Sequence, residues 1–424
     1  MESSGHFEDY GGIGNCADGY PAEKEGRPMV RVCVDARLKS GMSGGVESVV
    51  IGMASGLSQL DGDEEYLFLA YHDSVAWLRP YLSGRCSLLT LPAVSEEQRK
   101  LRGAQAAAGP RRSDGAIERA GVDVMHFTLQ WGFLTDVPSL YHPHDLQHLH
   151  LPEFFTPDEI QRRQRLYRPL CAQARTIVVA SEWTRRDVIW QYRLPAEKVR
   201  VISFPPVLHA YAEPTETELT EVRRNLSLPE RFVLYPAQTW PHKNHLKLLE
   251  AIALLRDAGV IIPLICCGRT TEYFPTIARR IGELDLAAQV RFVGFVTPLQ
   301  LRCLYRMCTA TVVPTRFEAA SGPVMEAMQA GAPVACSNVT SLPEQAGDAA
   351  LLFSPDDTAE MAAAIRRLWQ DQPLCDALTQ RGKRNVGRLS WQQTARQFRA
   401  LYRQAAGRTL DEEDQSLLAR GGLY

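Results

Sequence analysis

A chain of 424 residues exceeds what one compact core comfortably spans and implies two domains. With 45% hydrophobic residues, 23% charged residues and a net charge of −2, the composition is that of an ordinary globular protein and gives no global basis for nucleic-acid binding. No apolar run reaches the length of a membrane span, and none of the ten cysteines forms a C-x-x-C pair or a metal-ligand spacing, so they read as small buried residues of a reducing compartment.

Residues 1–28 are polar, acidic and aperiodic, which predicts a flexible tail. The run "GIGNCA" within them fits a relaxed dinucleotide fingerprint, but no strand precedes it and the match is rejected. The start lacks the basic residues and apolar run of a signal peptide, so the expected location is cytoplasmic. Regular structure begins at "MVRVCVDAR", a buried-strand pattern, followed by the glycine-rich turn and amphipathic run "GMSGGVESVVIGMASGLSQL". Strand-like "YLFLAY", "SLLTL", "VDVMHF" and "TIVVAS" then alternate with helical stretches such as "EIQRRQRLYRPLCAQA". Strands interleaved with helices predict a parallel sheet covered on both faces.

Pro205, Pro206 and Pro214 interrupt this rhythm and mark a linker. A second α/β series follows: "RFVLYP", "NHLKLLEAIALLRDAG", "IIPLICCG", "QVRFVGF", "LQLRCLYRMC", "TATVVPT", "PVMEAMQA" and "APVACS". Near the end, "SWQQTARQFRALYRQA" predicts one helix with Ser390 as N-cap and Trp391, Ala395, Phe398 and Tyr402 on one face. The expected division is a tail at 1–28, a first domain at 29–206, a second at 207–389, a helix at 390–407 that can pack back on the first domain, and a tail at 408–424.

The stretch "RFEAASGPVMEAMQAGAPV" sets Glu318 and Glu326 apart across small, turn-prone residues. Glu318 falls on a loop at the carboxyl end of a strand; Pro323 suits a first helical turn, Gly331 suits its end, and Glu326 lies about one turn into the helix. Ligands of open α/β sheets bind outside such strand ends. Small residues at 319–322 admit close approach of a ligand, and free N–H groups at a helix start favour phosphate. Two repelling acids are reconciled if each serves a different part of one extended molecule. The spacing alone fits equally a solvated glutamate and a helix-start glutamate favoured by the dipole. Independently, "FVLYPAQTWPHKNHLKLLEAI" runs strand, loop, helix and places Lys243 where an ammonium can meet a diphosphate; any single lysine is more commonly a surface one.

The pieces "YPAQTWPHKNHLKLLEA", "VRFVGFVTPLQLRCLYRMC", "VVPTRFEAASGPVMEAMQAGAPV" and "LLFSPDD", in this order, resemble the nucleotide-sugar domain of retaining glycosyltransferases of family 4. "DARLKSGMSGGVESVV" and "HPHDLQHLHLPEFF" resemble the acceptor-side domain of that family, and the likeness spans roughly residues 30–405. It implies a GT-B fold, with two Rossmann-like domains facing a central cleft. It also implies roles residue by residue. Glu318 matches the acid near the transferred sugar, Glu326 the acid holding the donor ribose, and Lys243 the cation on the diphosphate. Backbone groups of Ala320, Ser321 and Gly322 would approach sugar and phosphate, and Phe295 and Val296 fall where the base binds, largely through backbone atoms. Gly44 and Gly45 match the glycine turn near the phosphates, and His144 matches a histidine reaching the donor sugar. Two departures stand out: Gln238 occupies a place where many relatives have arginine, and "EAASGP" replaces the commoner "EGFGLP".

The resemblance implies a metal-independent hexosyltransferase with no obligatory cofactor. It would use a nucleotide-diphosphate sugar (GDP-mannose or a UDP-hexose) to glycosylate a glycan, lipid-linked or small-molecule acceptor with retention, as in polysaccharide biosynthesis. Competing readings are a phosphorylase or nucleotide-sugar epimerase of the same fold, a non-catalytic nucleotide-sugar binder, and a two-domain binding protein. The basic runs "RRSDGAIERAG" and "IQRRQRLYR" read first as solvated faces and second as a peripheral contact with anionic lipid at the inner membrane face.

Overall fold

The computed structural model describes residues 29–39, 41, 44–93, 95, 97, 108–207 and 213–419; the predicted tail at 1–28 lies outside them. Two wholly parallel sheets carry the chain. The first contains β1 (Arg31–Asp35), β2 (Glu65–Tyr71), β3 (Cys86–Leu91), β4 (Val124–Phe127), β5 (Ser139–Tyr141), β6 (Thr176–Val179) and β7 (Val199–Val201), in the order β3-β2-β1-β4-β5-β6-β7. The second contains β8 (Val233–Pro236), β9 (Leu264–Cys267), β10 (Val290–Phe292), β11 (Ala310–Val313), β12 (Val334–Ser337) and β13 (Ala350–Phe353), in the order β10-β9-β8-β11-β12-β13.

Both orders reverse direction once, between β1 and β4 and between β8 and β11. At such a switch point the connections of neighbouring strands leave to opposite faces, and a crevice opens at the strands' carboxyl ends. β1, β4, β6, β8, β9, β11 and β12 are buried along nearly their whole length, which accounts for their continuous apolar runs. Several helices begin where side chains satisfy the first N–H groups. Thr156 with Glu159, Thr215 with Glu218, and Thr297 with Gln300 each form a capping box.

The helix Trp391–Ala405, capped by Ser390, leaves the second sheet and packs on the first. Trp391, Ala395, Phe398 and Tyr402 join one core with Val32, Val34, Met53 and Phe68. Its close approach to the helix Gly45–Leu57 requires two glycines. A Cβ on Gly52 would lie 1.9 Å from the Trp391 ring, and one on Gly56 would lie 2.4 Å from the Trp391 carbonyl oxygen.

The segment expected to be a C-terminal tail departs from that expectation. Residues Glu412–Ala419 form a helix, and Asp414 and Leu417 are buried. Within the acidic run "DEED", Asp411, Glu412 and Glu413 are exposed but Asp414 is buried; Asp414 pairs with Arg403 at 3.0 Å and Glu413 with Arg399 at 3.2 Å, both arginines on the preceding helix. The described cysteines are all free and, Cys308 apart, buried.

The glycine contact gives a stability prediction. Gly52→Ala gains roughly 1 kcal/mol of helix propensity, but overpacking against Trp391 costs about 1–3 kcal/mol or more. The variant is expected to melt below wild type by calorimetry, and a Tm at or above wild type would contradict this packing.

Candidate active site

The site is built where β8 and β11, adjacent in the second sheet, send out neighbouring loops. After β11, Thr315 is fully buried, and its hydroxyl lies 3.0 Å from the Phe317 carbonyl oxygen and 3.2 Å from that of His242. The Arg316 amide also donates to His242 O, at 2.8 Å, so the two loops are tied together. Glu318 follows. Thr340 Oγ1 donates to its carbonyl at 2.6 Å and Ser341 Oγ at 2.9 Å, which fixes its backbone.

Lys243 ends a short turn, Pro241–Lys243. The Tyr235 hydroxyl donates to the Lys243 carbonyl at 2.6 Å. Asn244 adopts a left-handed conformation (φ 62°) that asparagine tolerates, and its amide donates to Pro314 O and Pro355 O at 2.9 and 2.8 Å. With both backbones held, Lys243 Nζ donates to Glu318 Oε1 at 2.5 Å, in a pair whose side chains are mostly shielded from solvent. His242 beside them is neutral: burial, then Lys243 and Arg163, push its pKa far down, to about 2.

Glu326 lies one turn into the helix Gly322–Ala330. The Tyr305 hydroxyl donates to its Oε2 at 2.9 Å, while Oε1 lies 3.7 Å from where a Gly322 Cβ would stand, turned toward the helix start. Burial pushes the Glu326 pKa up, and the Tyr305 hydrogen bond opposes that shift. No side chain caps this helix, so its leading N–H groups have no intrahelical acceptor. Ser321 differs from expectation. Its N–H donates to Gln345 Oε1 at 2.7 Å and is therefore engaged within the protein rather than offered to a ligand.

The first domain contributes the loop after β1. Gly41 and Gly44 both have positive φ, 69° and 52°. Arg269 Nε donates to Gly41 O at 2.6 Å, and its guanidinium lies 4.5 Å from the centroid of Phe295, an exposed ring. Gln238 Nε2 stands 3.8 Å from where a Gly44 Cβ would be, and its Oε1 accepts from Trp240 Nε1 at 2.9 Å. Gly44 and Gly45 therefore start the helix Gly45–Leu57 at the boundary between the domains.

Val296 is buried among Cys303, Leu304 and Tyr305, so its side chain belongs to the core and only its backbone remains for a ligand. His144, at φ 61°, is tied through Nε2 to Thr128 O at 2.7 Å within its own domain. It borders a buried chain in which Tyr402 Oη lies 2.6 Å from His126 Nδ1 and His126 Nε2 lies 2.7 Å from His142 Nε2. Of the basic run at 160–168, Arg163 does not simply face solvent: it lies 3.9 Å from Asp145 and over the Phe155 ring.

Arg269 was not singled out in the sequence. Its only local signal is a position just past the buried run "LICCG", at the carboxyl end of β9. It supplies a guanidinium on the face where Gln238 is neutral. Among the described residues no cluster of three or more His, Cys, Asp or Glu side chains is arranged to hold a metal, and no helix is long and apolar enough to cross a membrane.

Two parallel sheets, each with one switch point, and domain loops that meet at Arg269 and Gly41 have the GT-B architecture. The chain belongs to family 4: residues 43–204 match the model for Glycosyltransferase Family 4, and residues 218–385 match that for Glycosyl transferases group 1. O-antigen chain mannosyltransferase B of Escherichia coli is 28% identical over 251 residues, covering 59% of this chain and 66% of that protein. The serotype-specific mannosyltransferase WbdA, also of Escherichia coli, is 29% identical over 42% of this chain. The match covers slightly under two thirds of the first relative's length and 22% of the second's. Anabaena HepE, solved with UDP and glucose, shares the fold with a TM-score of 0.66 at 18% identity, over 88% of this chain and 99% of its own.

The buried histidines give a pH prediction. Burial holds His142 well below the usual histidine range and His126 at about 3. With folded pKa values depressed, the unfolded chain binds more protons between the two values, so stability is present above about pH 6.5 and is lost as pH falls toward 3. Each such group steepens the loss by about 1.4 kcal/mol per pH unit. Denaturant melts of wild type and His142→Gln between pH 6.5 and 4.5 are expected to differ in slope by about one such group; parallel curves would rule out a neutral buried His142.

Proposed function

We propose that the protein transfers a hexose, most specifically mannose, from a nucleotide-diphosphate sugar to an acceptor hydroxyl with retention, in the assembly of a glycan. The observation that carries this reading is the Lys243–Glu318 pair at the switch point of the second sheet. A mannosyl donor such as GDP-mannose is supported by the activities for which the two bacterial relatives are named, and a UDP-hexose is the alternative donor.

The chemistry follows from the charges. The bond between the anomeric carbon and the departing phosphate oxygen breaks, and negative charge develops on the diphosphate. An ammonium has three donors. Lys243 gives one to Glu318 and has others for a phosphate oxygen. The leading N–H groups of the helix Gly322–Ala330 add fixed positive ends. Such preorganised charge acts where a metal cation otherwise would. Because Glu318 touches the same ammonium, its carboxylate sits about one sugar away from the phosphate, beside the positive charge that develops on the ring. The acceptor oxygen attacks from the face the phosphate leaves, and its proton passes to the departing phosphate oxygen.

The donor's other end falls to Glu326, whose Oε2 is held by Tyr305 and whose Oε1 can accept from a ribose hydroxyl. Phe295, with Arg269 over it, offers an aromatic and cationic surface for the base. Gly44, Gly45 and Gln238 would close over the phosphates, and His144, held through Nε2 by Thr128 O, is assigned to the sugar by the family resemblance alone. A peripheral contact of the basic run at 160–168 with anionic lipid would suit a lipid-linked acceptor.

The test is turnover of GDP-mannose and UDP-hexoses, read as nucleoside diphosphate release and as the anomeric configuration of the product. Lys243→Ala is expected to lower kcat by about 10²–10³. Glu326→Ala is expected to raise the donor KM about tenfold or more with a smaller change in kcat. Transfer unaffected by either substitution, or an inverted product, would overturn the assignment. Activity that survives EDTA would agree with a cation-free mechanism, and loss restored only by a divalent ion would contradict it.

A further inference from the structure

Glu344 lies outside the donor-binding residues, yet its carboxylate spans the two domains. Oε1 accepts from the Glu182 amide at 2.7 Å and Oε2 from the Trp183 amide at 3.1 Å. These are the first two amides of the helix Glu182–Tyr192, and a helix supplies no acceptor for them. Ser181, the N-cap, accepts from the Thr184 amide at 3.2 Å. So three N–H groups at this helix start are satisfied, two of them by the opposite domain. A carboxylate is also the charge that the positive end of a helix favours.

The same region touches the loop of Glu318 twice more. Ser181 Oγ, fully buried, donates to Ala319 O at 2.9 Å. The Phe317 ring lies 5.5 Å from both Trp183 and His150 of the first domain. Glu318 is thus flanked on each side by residues that the first domain holds.

On the second domain, one short element makes three consecutive grips. Ser341 donates to Glu318 O at 2.9 Å, Glu344 takes the opposite domain's helix, and Gln345 accepts from the Ser321 amide at 2.7 Å. The helix Leu342–Ala346 carries the last two and follows directly on Ser341.

We propose that Glu344 is a positioning residue: it latches the domains closed and, through this element, sets the loop of Glu318 only when they are closed. Separation at Glu344 withdraws Ser181 from Ala319 and the aromatic pair from Phe317, leaving Glu318 held from one side alone. Hydrolysis of a bound donor is then disfavoured in the open molecule, because the acid is out of place whenever water has access. The closure half of the proposal is independent of the donor reading, and the catalytic half rests on it.

Amide hydrogen exchange on the whole chain without ligand tests closure directly. In wild type the Glu182 and Trp183 amides are expected to exchange slowly, although they open a helix. Glu344→Ala is expected to speed them at least tenfold and to speed the 317–321 segment as well. Glu344→Gln, which keeps a single acceptor oxygen, falls between. The self-capped start of the helix Pro157–Gln173 serves as the internal control and should not change. Unchanged exchange at 182–183 in a Glu344→Ala protein with wild-type circular dichroism would overturn the latch.

For the catalytic half, Glu344→Ala should lower kcat about tenfold while the donor KM stays within about twofold, since the donor's contacts lie elsewhere, and Glu344→Gln should restore part of it. Faster exchange with unaltered kcat would reduce Glu344 to a structural tie and reject its positioning role. Absence of transfer by wild type with every donor would overturn the donor reading, with the latch still decided by exchange.

Discussion

An ammonium and a carboxylate meet at the head of the second sheet because two strands lie side by side. β8 and β11 are neighbours at the point where strand order reverses, so their loops emerge together although 75 residues separate Lys243 from Glu318. Nothing in the side chains themselves would keep so short a pair in register; the backbones do. Asn244 reaches back to Pro314, the His242 carbonyl accepts from Arg316, and Thr340 and Ser341 grip Glu318. The pair contributes less to stability than its length suggests, since desolvation offsets much of the Coulomb gain. Its value lies in orientation: a fixed positive charge stands with a carboxylate at its side, which suits the proposed donor, anionic at one end and becoming cationic at the other.

The first domain completes the site without adding an acid or a base to that pair. It brings backbone and aromatic surface: Gly41, whose missing side chain lets Arg269 come close, Gly44 beside Gln238, and the rings of Trp183 and His150 against Phe317. The two halves therefore divide the work. The second domain holds charge in place, and in the proposed reaction the first limits how much of it water can reach.

Much of this was legible in the sequence because the determining patterns are local. Buried parallel strands write themselves as unbroken apolar runs, and "VVPTRFEAASGP" carries its strand, loop and helix start within twelve residues. What escaped was set by distant partners. Arg269 matters through Gly41, which lies 228 positions away. The Ser321 amide is engaged because Gln345 happens to reach it, which no local pattern announces. β5 and β7 are three residues each, too short to display alternation. The acidic run "DEED" resembles a solvated end until Arg399 and Arg403 of the preceding helix are seen to pair with Glu413 and Asp414.

The return of Trp391–Ala405 to the first sheet means that the chain passes between the halves twice, once after β7 and again after the helix Gln372–Gly387. Two tethers act differently from one. A single linker permits swivelling in every direction, whereas two connections between the same bodies favour rotation about the line joining them, like a door on two pins. The first body is consequently assembled from two stretches of sequence far apart, and its hydrophobic interior is finished only after the second domain has been made.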